Sequence, residues 1–421
     1  MTSPSARSRR IAGFSVLVAW TIPTISCSDG LLAPSTGQEV VIGGLFSLTG
    51  NWASLGVASK AAMEVGIEDV NQYLADGGSR LHFTASIKDT KLDAATALTQ
   101  VTELEAAGVE VVIGPQSSAE VAGLKSYVDA NDVLVASQSS TAGTLAIADD
   151  NIFRFTPSDT LEAVALVALM KADGMATIVP LWRNDAGNIG LQVATRARFA
   201  DVGTVKAGVE YAATATQADY ATALAALKAQ VQEAIAERGG TAAVAVAHAG
   251  FDEVVDLFKL AAADPVLSSV RWYGTDGTAL TEPLRADPTA AAFARTVSFW
   301  APIPGVDAGA SDRWQPVATR IAARAGAQPD AFALAVYDAV WVTAQAYLAA
   351  GGRGHFAALK TAFVSAANNF YGVSGWTALN DAGDRRFGDF DFFALSQSGA
   401  TSSWVLRAQY DTQRGILTRV P

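Results

Sequence analysis

Short apolar runs alternate along the chain with longer segments in which apolar positions recur every three or four residues. Val40–Phe46 (VVIGGLF) is apolar throughout, as a strand covered on both faces requires. In Ala58–Leu74, Met63, Ile67, Val70 and Leu74 fall on one helical stripe. His82–Lys88 predicts a strand, and Asp93–Ala107 a helix ended by Gly108. Glu110–Ile113, Ser118–Asn131 and Val133–Ala136 continue as strand, helix and strand. A second series follows at Ala176–Leu181, Gly190–Asp201, Val205–Tyr211, Tyr220–Arg238, Ala242–Ala247, Asp252–Ala263 and Val270–Tyr273. Helices return at Trp314–Ala325 and Phe332–Ala349, and β-like segments close the chain at Phe390–Leu395 and Trp404–Tyr410. This alternation predicts an α/β protein with parallel sheets and right-handed crossovers. Two doubly wound lobes are expected, with the chain passing between them more than once.

The first 27 residues read differently. Arg7, Arg9 and Arg10 precede an apolar run from Ile11 to Ile25 that ends in Ser26-Cys27. A charged start, a short apolar stretch and small residues at the end describe a secretory signal. The run is shorter than the ~20 residues a membrane-crossing helix needs, and Pro23 disturbs its last turn. Cys27 is the only cysteine in the chain and sits where the bacterial lipobox has its acylated cysteine. Thr24 replaces the usual leucine, while Ile25 and Ser26 fit. The expected organisation is a signal peptide over 1–26 and a turn-rich tether over 27–38 behind a lipidated Cys27. No later segment reads as long and apolar enough to span a membrane. The mature protein is expected in the periplasm or cell envelope, touching the membrane only through its lipid.

Composition narrows the function. The 421 residues are half hydrophobic and 17% charged, with a formal charge of −11, so a large core is expected and no basic stripe is available for nucleic acid. One cysteine excludes an intrachain disulfide and a thiolate metal site. His82, His248 and His355 are far apart, none with a metal-ligand neighbour at helical spacing. The chain has no P-loop, no G-x-G-x-x-G after a strand and no G-x-S-x-G elbow. Neither an enzyme nor a cofactor is expected.

Polar residues at the carboxyl ends of predicted strands remain, where open α/β sheets bind ligands. Ser117 and Ser118 open a helix; Ser139, Ser140 and Thr141 follow the next strand; Asp276 follows Val270–Tyr273. Backbone N–H groups with serine hydroxyls beside them suit a carboxylate. An aspartate facing them suits an ammonium, so together they suit an amino-acid zwitterion. Each residue taken alone reads rather as a helix cap or a turn former, and only the set points to a ligand.

A set of segments in order carries a resemblance. Val41–Gly50 (VIGGLFSLTG) with Gly56, Asp89–Ala97 (DTKLDAATA), Val112–Ser118 (VIGPQSS) and Val133–Ser137 (VLVAS) open it. Phe153–Phe155, Asp219-Tyr220, Tyr273–Gly277 (YGTDG), Tyr337–Ala339 and Asn380–Arg385 (NDAGDR) complete it. The chain from Val40 onward resembles the type I periplasmic binding proteins of ABC transporters, of the branched-chain amino-acid type.

The resemblance implies two lobes joined by three hinge crossovers: 39–157 with about 302–372, and 158–301 with about 373–421. It implies that Ser118 binds a ligand carboxylate, that Ser139 and Thr141 receive it from the next loop, and that Asp276 holds an α-ammonium. Two aromatics of the family are absent. Gly187 and Gly250 stand where tyrosines are usual, with His248 or Phe251 as replacement for the second and Trp52 as a wall of the side-chain pocket. The pocket is therefore expected to be larger or reshaped. The implied partners are a small amino-acid-like ligand and an ABC permease. The alternative is a lipoprotein regulator or sensor of the same fold, for example of cell-wall synthesis, that transports nothing.

Overall fold

The protein, a computed structural model, is described over residues 38–399 and 401–420. The signal peptide, the lipidated Cys27 and nearly all of the tether lie outside the described residues.

The first sheet consists of β1 (Gln38–Phe46), β2 (Leu81–Asp89), β3 (Val111–Ile113), β4 (Leu134–Ser137) and β5 (Ile152–Arg154). Its strands are all parallel, in the order β2-β1-β3-β4-β5. The order reverses between β1 and β3, so the loops after these two strands flank a crevice at the strand ends.

The second sheet repeats the scheme with β6 (Thr177–Asn184), β7 (Thr204–Val205), β8 (Val209–Ala212), β9 (Val244–Ala249), β10 (Arg271–Tyr273) and β11 (Trp300–Pro304). Strands β7 and β8 both pair with one side of β6, and β9 with the other, which places a second switch point between β6 and β9. The expected single strand Val205–Tyr211 is broken because Gly208 takes a positive φ of 76°. The sheet is not parallel throughout. β12 (Phe390–Ser398), β13 (Thr401–Asp411) and β14 (Ile416–Arg419) extend it antiparallel. β13 and β14 each follow the strand before them too closely for a parallel crossover, while β12 returns antiparallel to β11 after the helices of the first lobe.

The chain passes between the two sheets three times. It leaves β5 for the helix Asp159–Ala172, which packs on the helix Ala186–Phe199 behind β6. It returns after β11 to the helices Ser311–Ala325 and Ala331–Ala350, which pack on the helix Ala53–Asp76 of the first lobe. After the helix Phe356–Asn368 it crosses again to β12.

The helix Ala331–Ala350 corrects one expectation, since by length and composition it matches a membrane span. It is apolar all round because it is a core helix, buried almost along its whole length beneath Ala53–Asp76 and Phe356–Asn368.

Buried side chains and ion pairs tie the crossings together. Arg154, 1% exposed, gives its Nε to Asp384 Oδ1 at 2.5 Å and its Nη1 to the Ala142 carbonyl at 2.6 Å. The backbone of Arg154 also pairs with Gly383 and Arg385. Arg385 donates to Ser374 and to the Phe155 carbonyl, and the buried Asp338 accepts from the Val373 and Ser374 N–H groups.

Gly56 shows how tightly the loop after β1 is held. A Cβ there would lie 1.8 Å from the Ser47 carbonyl oxygen, which is backbone and cannot rotate away. Gly56→Ala is expected to destabilise the protein by at least about 1–3 kcal/mol, the cost of overpacking, read as a lower urea midpoint at unchanged slope.

Candidate functional site

The four loops at the two switch points converge between the lobes. Trp52 follows β1 and is held in the left-handed region (φ 56°), with its N–H on Asn51 Oδ1 at 2.9 Å. Its ring stacks on Phe251, which follows β9, with centroids 4.3 Å apart and planes at 22°. Phe332 meets the same indole edge-on. Around this stack, Asn51 Nδ2 donates to Glu253 Oε2 at 2.7 Å and Ser54 Oγ to Asp252 Oδ1 at 3.0 Å. The two lobes are closed on each other.

In the first lobe, Ser118 is 3% exposed, and its hydroxyl oxygen gathers three donors: Thr141 N–H at 3.2 Å, Ala142 N–H at 3.1 Å and the Ser140 hydroxyl at 3.1 Å. Ser118 and Thr141 thus share one wall. Ser117 is the helix cap; its hydroxyl donates to Glu120 Oε2 at 2.6 Å. Ser139 turns its hydroxyl to the Gln116 carbonyl at 2.8 Å. Across the gap, a Cβ on Gly187 would sit 3.4 Å from Ser118 Oγ, so a glycine there leaves room for the two lobes to approach.

The second lobe presents carboxylates. Asp276 opens a single 3-10 turn after β10; its Oδ1 accepts the Gly277 N–H at 2.7 Å and its own N–H donates to Glu162 Oε1 at 3.0 Å. Glu162 and Asp159 occupy the first turn of the helix Asp159–Ala172, and the Asp159 N–H donates to the Thr141 carbonyl at 3.0 Å. Ser118 and Asp276 are therefore linked through Thr141, Asp159 and Glu162 in one buried place.

Burial pushes the Asp159 carboxyl up to about 8, and the Asp276 charge adds to the rise. Burial raises Glu162 well above the usual range, and Asp276 and Asp159 raise it further. Asp276 is pushed up to about 6, again by burial.

In the second lobe, His248 is buried and held neutral, its imidazole pushed down to about 3 by desolvation. The Tyr211 hydroxyl donates to Glu253 Oε1 at 2.9 Å and lies 3.0 Å from His248 Nε2, which places the imidazole proton on Nε2. A Cβ on Gly250 would come within 2.4 Å of the Tyr211 hydroxyl, so a tyrosine from β8, on the far side of β6, fills the space beside Gly250. His248 supports this ring, while Phe251 stacks on Trp52. Arg183 pairs with Asp185 at 2.7 Å and lies over the Phe251 ring, 5.6 Å from its centroid.

Asp159, Glu162, Tyr211 and Arg183 are the site residues that the sequence analysis missed. Asp159 and Glu162 lie just beyond Phe153–Phe155 and look like the acidic first turn of any helix. Tyr211 had a usable signal: it stands near the carboxyl end of a strand beside the switch point.

The profile of the receptor family ligand binding region matches residues 58–398, most of the chain. The chain belongs to this family. A protein of Methanocaldococcus jannaschii described as uncharacterized is 26% identical to this receptor-family chain over 399 residues, covering 90% of this chain and 92% of its own. The fold is that of the type I periplasmic binding proteins. A leucine-binding protein LivK from Thermotoga maritima superposes with a TM-score of 0.72 at 17% identity, over 89% of this chain and 99% of its own. The branched-chain amino-acid transporter substrate-binding protein LivJ from Streptococcus pneumoniae, in complex with isoleucine, gives 0.67 at 18% identity, over 88% and 100%. A solute-binding protein of an ABC transporter from R. palustris, in complex with benzoate, gives 0.69 at 18% identity, over 88% and 96%.

Proposed function

We propose that this receptor-family protein is an extracytoplasmic solute-binding protein. It closes two lobes over a small ligand, an amino acid or related carboxylate, and presents the closed form to an ABC permease. The observation that carries the reading is the meeting of the Ser118–Thr141 wall with the Asp159–Glu162–Asp276 wall in one buried place between lobes. The structural neighbours in complex with isoleucine or benzoate support a small organic ligand. The lobes comprise 39–157 with about 302–372 and 158–301 with about 373–421, and the three crossings act as the hinge. The secretion signal and the lipid attachment at Cys27 that the sequence leads one to expect support a position on the outer side of a membrane.

Ligand bridging both walls favours the closed state by its higher affinity for that state. Charge-assisted hydrogen bonds contribute roughly 1.5–3 kcal/mol each, so a few of them support micromolar binding after association costs.

Calorimetry with the twenty amino acids, on protein refolded to strip bound solute, tests the reading. Saturable heat from at least one is expected; none from any of them removes the amino-acid ligand. Asp276→Asn is expected to weaken the best amino acid roughly tenfold or more, the worth of one charge-assisted hydrogen bond. An unchanged constant would leave Asp276 as a turn former only. Capture of a cell-wall synthase in place of a permease would favour the regulator.

A further inference from the structure

Three carboxyl groups share the cleft, and no cationic side chain pairs with them there. Asp159, Glu162 and Asp276 are 2%, 1% and 9% exposed. Both carboxylate oxygens of Asp159 and Oε2 of Glu162 lack any hydrogen-bond partner. Oxygens left this way in a protein interior are costly unless something binds them. Asp159 Oδ2 points across at the helix Ala186–Phe199, where it lies 2.8 Å from the position a Cβ on Gly190 would take. Only glycine there leaves that oxygen its space.

The nearby cations are already engaged. Arg154 is paired with Asp384 and the Ala142 carbonyl, and Arg183 with Asp185 and Glu253. Among the described residues, no lysine, arginine or histidine forms an ion pair with Asp159, Glu162 or Asp276. Nor do three acidic or histidine side chains among them converge as metal ligands. A solute with more than one nitrogen can reach carboxyls that do not converge on one point, which a single metal ion cannot.

We infer that the cleft selects a solute whose positive charge exceeds its negative charge: a basic amine, such as a basic amino acid or an aliphatic diamine. A zwitterion with an apolar side chain brings one cationic nitrogen to three carboxyls, and its own carboxylate opposes their ionisation. An ammonium offers three N–H donors and a guanidinium five, and either can engage Asp159 and Glu162 while Asp276 accepts a second nitrogen. The inference rests on the solute-binding reading and deepens it by naming the ligand class. Binding of such a cation favours the ionised carboxyls and so releases protons.

The test is calorimetry on the refolded full chain at pH 7, in two buffers of different ionisation enthalpy. The probes are L-lysine, L-arginine, 1,5-diaminopentane, L-leucine and L-glutamate. At least one of the three cations is expected to bind tenfold or more tighter than leucine, with proton release seen as a buffer-dependent heat. Asp159→Asn is expected to weaken that cation tenfold or more and to diminish the proton release. Glu162→Gln serves as the second variant, and the wild-type ranking decides even if neither variant folds. Leucine or glutamate binding more tightly than every cation would overturn the inference while leaving a solute-binding protein. No heat from any of the five overturns it too, and the twenty-amino-acid series then decides the wider reading separately.

Discussion

Replacing Arg154 with alanine is expected to destabilise the protein by about 3–5 kcal/mol, the range for breaking a buried ion pair by removing one partner. The size follows from what is left behind. Asp384 is 4% exposed and holds the guanidinium at 2.5 Å; without it a carboxylate stays in the interior with no cation beside it. The same guanidinium fixes the Ala142 carbonyl, and the Ala142 N–H is one of the donors gathered on Ser118. Arg154→Ala is thus expected to weaken ligand binding as well as stability. Urea unfolding of the single variant and of Arg154→Met/Asp384→Leu separates the effects. The double variant is expected to recover most of the loss, because two apolar side chains leave no stranded charge. A single variant as stable as the wild type would mean that water, not Arg154, compensates Asp384.

Ligand-free protein is expected to open as the pH rises from 6.5 to 8. Asp159 is pushed up to about 8 in the closed cleft against an ordinary 3.8, so the closed form keeps a proton that the open, hydrated form has lost. Stability of the closed form is therefore full below pH ~4 and falls as the pH climbs towards 8. Across the upper 1.5 units Asp159 alone disfavours closure by about 1.6 kcal/mol, roughly sixteenfold in the closed-to-open ratio, because half of the closed form still holds the proton at pH 8. Glu162 shifts in the same direction. The groups facing Asp159 are Asp276, Asp185 and Glu162, which add to the effect, and Arg154, which opposes it. His248 acts with the opposite sign, since its imidazole is held neutral down to about 3; its penalty enters only below 6.5, outside this window. Small-angle scattering of the refolded protein should show a growing radius of gyration between pH 6.5 and 8, flattened in Asp159→Asn. A constant radius in the wild type, or one that shrinks, would contradict the assignment of Asp159 to the closed interface.

Much of the architecture was legible because its strands are buried on both faces. β1, β4 and β9 read as apolar runs, and the helices between them carry one apolar stripe each. β11 escaped notice because Trp300–Pro304 holds two prolines, which usually demote a strand. β5 is three residues long, too short to show a period. In the site, Ser118, Thr141, Trp52 and Asp276 were visible from their places just beyond strands. Asp159 and Glu162 were not, because a first-turn acid reads the same whether it faces water or a closed cleft. Tyr211 occupies the space beside Gly250 from another strand, a substitution in space that no linear pattern carries.

The central claim is that the buried place between Ser118 and Asp276 is built for a small solute bearing a cationic nitrogen. The most direct measurement is mass spectrometry of the small molecules released when the freshly purified, never-refolded protein is denatured, quantified against the protein. The account predicts one amine-bearing species approaching one per chain, and little of it from Asp276→Asn. Release of nothing, or only of a solute without a cationic nitrogen, would contradict it.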